Sequence, residues 1–170
     1  MTLPFMIVQA EEIPLSTGEI FNCPKANMYY HEWAGTPLKD TYGGKTVLDI
    51  EGEPLFAELA ILKLIKDDGW DGVWVDNYRK TFRNVLPEKG GSVSIPANYE
   101  KVINAIKEIN GTLNGCWDLF AWKGNKLLFV ESKRFKKDKL RDTQVKWLES
   151  ALKSNFEIEY LIVEWDLDSN

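Results

Sequence analysis

Three stretches of this chain repeat apolar residues at every third or fourth position, and four others run apolar or alternate. The two rhythms predict three helices and four strands of a mixed α/β fold. The first helix opens at Pro54, since proline is favoured in a first turn. It carries Leu55, Leu59, Leu62 and Ile65 or Lys66 on one stripe and stops at Gly69. Residues 72–78, rich in β-branched and aromatic side chains, read as a strand. A loop over 84–98 follows, broken by Pro87, Gly90, Gly91 and Pro96. Val102, Ile103, Ile106 and Ile109 then mark a helix over 99–109, stopped by Asn110-Gly111.

Two strands come next, over 116–122 and 127–133. Lys123-Gly124-Asn125-Lys126 between them has the composition of a tight hairpin turn. A third helix, capped by Asp138 or Asp142, runs to about Lys153 with Val145, Leu148 and Leu152 inward. A final apolar strand spans 156–164. The passage from the second hairpin strand to this one is long enough for a parallel crossover. Residues 1–53 carry no such rhythm. Pro4, Pro14, Pro24, Pro37 and Gly43-Gly44 break them up, and only 46–50 reads as a short strand. The expectation is one domain over 1–170, with an N-terminal elaboration on a core of 54–164.

Within the hairpin, polar residues interrupt apolar runs. Glu131-Ser132-Lys133 is the only acidic-x-Lys triplet in the chain. Alternate residues of a strand share a face, so Glu131 and Lys133 point the same way as Leu127 and Phe129. A carboxylate and an ammonium beside an apolar face are costly unless paired or used. Pairing about the turn sets Asp118 opposite Glu131. Two carboxylates facing each other repel, and a divalent cation held between them, as Mg²⁺ is held, removes the conflict.

Composition narrows the picture further. Hydrophobic residues make up 44% and charged residues 28%, as in ordinary soluble domains. No apolar run reaches the length of a membrane span, and the opening stretch lacks the basic residues of a signal peptide. Cys23 and Cys116 read as free thiols, and the expected location is the cytoplasm. With one histidine, His31, a Cys/His zinc site is nearly excluded. The net charge of −5 does not advertise nucleic acid, but residues 123–146 hold nine basic residues against three acidic ones. Such a local excess suits a phosphate-facing surface, or simply a solvated one.

Taken in order, Asp118, the hairpin, Glu131-Ser132-Lys133, the basic stretch and Gln144-Val145-Lys146-Trp147-Leu148 resemble the PD-(D/E)xK nuclease superfamily, most closely its VRR-NUC branch. Trp117 stands where the motif's proline would be, and the loop and helix at 79–110 separate the first two core strands more widely than the pattern requires. The resemblance implies a restriction-endonuclease-like αβββαβ core and metal-dependent hydrolysis of a phosphodiester, DNA before RNA. It implies Mg²⁺ or Mn²⁺ held by Asp118, Glu131, Glu58 and the backbone carbonyl of Ser132. Lys133 and Gln144 would complete the catalytic set. Arg134, Lys136, Lys137 and Lys139 would contact the nucleic-acid backbone, and a homodimer is a possible assembly. Other accounts of the same residues stand beside it. Asp118 reads equally as a strand-edge acid, Glu131 and Lys133 as a structural ion pair, and Glu58 as a solvent-facing helix residue. Trp74, Trp117, Trp122 and Trp147 read as core. Tyr78, Arg79, Lys80 and Arg83 form a small basic patch, more readily solvated than functional. A non-catalytic nucleic-acid-binding module and an interaction protein without any nucleic-acid role are the competing functions.

Overall fold

A computed structural model describes residues 5–168. Residues 1–4, with Pro4 and the start of the stretch weighed as a signal peptide, lie outside the described residues, as do 169–170. The elements are β1 (Ile7–Pro14), β2 (Ile20–Glu32), β3 (Leu48–Ile50), β4 (Glu53–Leu55), α1 (Ala57–Asp67), β5 (Asp71–Asp76), β6 (Thr81–Arg83), α2 (Ala97–Asn110), β7 (Leu119–Lys123), β8 (Lys126–Arg134), α3 (Asp142–Lys153) and β9 (Glu159–Leu167). They form a mixed α/β fold around a nine-stranded sheet in the order β4-β3-β2-β9-β8-β7-β5-β6, with β1 paired to β2.

The centre of the sheet is covered on both faces, which is why its central strands are apolar throughout rather than alternating. Leu119, Ala121, Leu128, Val130, Leu161 and Val163 pack with α1 residues on one side. Phe120, Trp122, Phe129, Tyr160 and Ile162 pack with residues of α2 and α3 on the other. Trp74, Trp117, Trp122 and Trp147 are all buried, as core residues should be. Among the described residues no helix is long and apolar enough to cross a membrane.

The β7–β8 hairpin pairs Leu119 with Val130 and Lys123 with Lys126, the register read from its turn. Gly124 supplies the left-handed residue there, with φ of 59°. β8 and β9 are parallel and joined through α3, as the crossover length predicts. Three expectations are corrected. Pro54 does not open α1. It lies in β4, paired with Asp49 at the end of the sheet, where a missing N–H leaves no ladder bond unmade. The helix begins at Ala57 instead. Neither Asp138 nor Asp142 caps α3. Arg141 occupies the cap position, its N–H donating to Gln144 Oε1 at 2.9 Å. Asp138 accepts from the Arg134 N–H and shapes the preceding turn.

The third correction is the largest. Residues 5–53 are not an irregular appendage. β1 and β2 form an antiparallel hairpin, and β2 runs on to pair in parallel with β9 from Lys25–Ile162 to Tyr30–Leu167. Pro24 reads as a strand breaker, yet it sits one residue before that ladder begins and faces Ala10 of β1. Asn22, Asn27, His31 and Glu32 of β2 are exposed and Lys25 is buried, so the apolar rhythm that marks the central strands is missing. The third strand of this region is β3, within the expected 46–50.

Candidate active site

The antiparallel hairpin brings the start of β7 beside the end of β8. Asp118 stands one residue before β7 but still extends the ladder, since its carbonyl accepts the Val75 N–H at 2.7 Å. Its carboxylate Oδ2 accepts the Ser132 N–H at 2.9 Å, and its own N–H donates to Glu131 Oε1 at 3.3 Å. The two acids are thus cross-tied through each other's backbone. By strand parity Asp118, Glu131 and Lys133 share the face of Phe120 and Phe129, the side on which α3 packs. Gln144, three residues past the cap of α3, meets them there. Its Oε1 accepts both the Arg141 N–H and Lys133 Nζ, each at 2.9 Å. Its carbonyl accepts the indole N–H of fully buried Trp117 at 3.1 Å. One helix start therefore fixes the lysine.

Glu131 is wholly buried, and its second oxygen, Oε2, has no hydrogen-bond partner among the described residues. The nearest cation is Lys133 Nζ, 3.9 Å away. Burial, followed by the neighbouring Asp118 charge, pushes Glu131 well above the usual carboxylate range. Its pKa in the folded state thus exceeds that in the unfolded chain. The stability it contributes is complete below the ordinary carboxylate pKa and is lost as pH rises through the raised one. In chelator, the melting temperature is therefore expected to fall as pH climbs from about 4.5 towards neutrality. Glu131→Gln should flatten that fall and raise the neutral-pH melting temperature. A wild-type profile no steeper than the variant's would show that Glu131 carries no such strain.

Glu58, the second residue of α1, also reaches this edge of the sheet. Burial and the Asp118 charge raise its pKa, while the ammonium of Lys45 works against both. Lys45 Nζ lies 2.6 Å from Glu58 Oε1. For Lys45 itself, burial works downwards, but Glu58, Asp118 and Asp138 outweigh it and the pKa is raised. A cleft of about 540 Å³ joins these groups, with Lys45, Glu58, Asp118, Arg141 and Gln144 in its lining.

A divalent cation fits part of this arrangement. A buried anionic oxygen with no donor, beside a second carboxylate, is what a cation would satisfy. Glu58 fits less directly, because Lys45 already holds it. Among the described residues no three acidic, histidine or cysteine groups converge as a metal-holding set. Of the basic residues expected on the nucleic acid, Lys136, Lys137 and Lys139 are exposed. Arg134 is engaged within the fold. Its guanidinium meets Asp166 at 3.5 Å and Thr46 Oγ1 at 3.2 Å, and lies over the Trp165 ring. Asp76, the last residue of β5, is buried and held by Arg83 Nε at 2.8 Å and the Arg79 N–H at 2.9 Å.

Lys45 is the residue that sequence reasoning did not find. It lies in a segment with no periodicity, and the only local signal was the preceding Gly43-Gly44. Comparison with family models, with curated proteins and with solved structures finds no match to this chain.

Proposed function

We propose that this chain is a metal-dependent nuclease with a restriction-endonuclease-like core, hydrolysing phosphodiester bonds, DNA the first substrate to try. The observation that carries the reading is the buried, unpartnered oxygen of Glu131 beside Asp118, with Lys133 and Gln144 on the same face. Asp118 and Glu131 would hold Mg²⁺ or Mn²⁺, with the Ser132 carbonyl and Glu58 as further ligands. Such an ion, when bound, lowers the pKa of water and offsets charge on the phosphate. The protein's own part is positioning. Ser132 N–H orients the Asp118 carboxylate, and Gln144 holds the Lys133 ammonium close to Glu131. From there Lys133 would orient the attacking water or stabilise charge that develops on the phosphate. The flanking apolar residues keep bulk water away, which strengthens each of these charges. Lys136, Lys137 and Lys139 would hold the phosphate backbone without reading sequence.

The test is cleavage of labelled single-stranded, duplex, flap and four-way-junction DNA in Mg²⁺, in Mn²⁺ and in chelator, beside calorimetric titration of the metal. Cutting that requires the metal, together with heat of binding that Glu131→Gln removes, is the expected result. Absence of both would leave an interaction module.

A further inference from the structure

The cleft at Asp118 does not end at the carboxylates. It runs past Tyr42, Lys45 and Tyr78 into a second hollow of about 620 Å³. Gly43 and Gly44 line that hollow, and a side-chain carbon added at either would meet nothing within 4 Å. Tyr78, in the turn between β5 and β6, is 84% exposed, the most exposed of the large hydrophobic side chains among the described residues. It is nonetheless held in place. Its ring stands edge-on to Tyr42, with centroids 5.7 Å apart, and Tyr42 stands edge-on to buried Trp74 at 5.2 Å. The Arg79 guanidinium lies 4.4 Å over the Tyr42 ring and is tied to Asp40 at 3.1 Å. Tyr42 is thus packed on several sides, while Tyr78 keeps most of its surface in water.

The charges around it are sorted. Asp40 and Asp76 are neutralised by Arg79 and Arg83, whereas Lys80 beside Tyr78 is exposed and makes no ion pair among the described residues. An exposed, braced aromatic ring that lines the cleft, two residues from an exposed lysine, has the chemistry of a stacking platform on a single strand. Resting on the nuclease reading above, we propose that Tyr78 stacks an unpaired base of the nucleic acid whose neighbouring phosphate lies at Asp118. The substrate class is then a strand that is single, or locally opened, at the point of cutting. A base within a paired duplex keeps its faces on its neighbours and gains nothing from Tyr78.

The proposal is tested by fluorescence anisotropy with labelled twelve-nucleotide oligothymidylate and with a blunt duplex of the same length, in chelator so that no metal-dependent cutting occurs. Wild-type protein should bind the single strand, Tyr78→Ala about ten-fold more weakly, and Tyr78→Phe as wild type. The duplex should be held equally by all three. Circular dichroism of the exposed-site variants reports that each is folded. Equal binding of the oligothymidylate by wild type and Tyr78→Ala overturns the proposal, as does loss with Phe as large as with Ala. So does a wild-type protein that does not bind the single strand. Tyr78-dependent binding by a protein that never cuts would uphold the platform and reject the nuclease reading, so the two fail separately.

Discussion

Lys133→Ala is expected to slow phosphodiester cleavage by about 10²–10³-fold, the usual cost of removing one preorganised charge-stabilising donor. The ammonium is nearly buried, donates to Gln144 and lies 3.9 Å from an oxygen that has no hydrogen-bond partner among the described residues. Its removal takes away the cation held beside Glu131 while leaving the backbone bonds that orient Asp118. The loss should therefore fall on the chemical step rather than on substrate affinity. Lys133→Arg should not restore it, because a planar fork cannot take the place of a compact ammonium on Gln144. Single-turnover kinetics at saturating Mg²⁺ separates these effects. A rate within a few-fold of wild type would remove Lys133 from the mechanism.

Gly115→Ala should unfold the chain more easily than any comparable change on its surface, by about 3–4 kcal/mol, or roughly 10 °C in melting temperature. Gly115 has φ of 87°, a conformation that costs an alanine about 1 kcal/mol. The added Cβ would also overlap the Thr143 carbonyl, reaching within 2.5 Å of its carbon. Thr143 is in the first turn of α3, so the helix must shift or the 113–117 turn must open. Either movement displaces Gln144, and with it Lys133, so activity should fall along with stability. Gly91→Ala is the control. It lies in a loop with nothing within 4 Å of the added carbon, and its melting temperature should not move measurably. Equal melting temperatures for the two variants would mean that the α3 turn yields at little cost.

The hairpin was legible because two independent signals agree on its register: the turn residues at Gly124-Asn125 and the parity of Glu131 with Phe129. Gln144 was legible by resemblance, but its physical reason was not. Nothing in the sequence says that one oxygen serves both a helix cap and a lysine. The helical stripe of α1 was readable, while its start was missed because Pro54 suits an edge strand as well as a first turn. β1 and β2 were missed for lack of contrast. Their pairing is carried by backbone bonds and by partners far along the chain, and β2, with Asn22, Asn27, His31 and Glu32 exposed and Lys25 buried, shows no apolar alternation. Arg134 illustrates the opposite error. A basic run looks alike whether its members face a ligand or, as here, Asp166 and Trp165.

The parallel pairing of β2 with β9 constrains the order of events when the chain is made. Lys25 has Gln9 as its ladder partner in β1, but its partner on the other side is Ile162, so residues up to β9 must leave the ribosome before β2 can dock on the central sheet. Closing so long a loop is slow, since its entropy is lost before the contact is gained. Lys45 lies in sequence between β2 and its partner β3, so the docking of β2 also sets the place of the segment that brings Lys45 to Glu58. A nascent chain can thus form the β7–β8 hairpin and hold Asp118 beside Glu131 while the wall bearing Lys45 is still absent. The cleft beside Asp118 would close only after β9 is made, and a chain stalled before residue 159 would carry the acids without the enclosure.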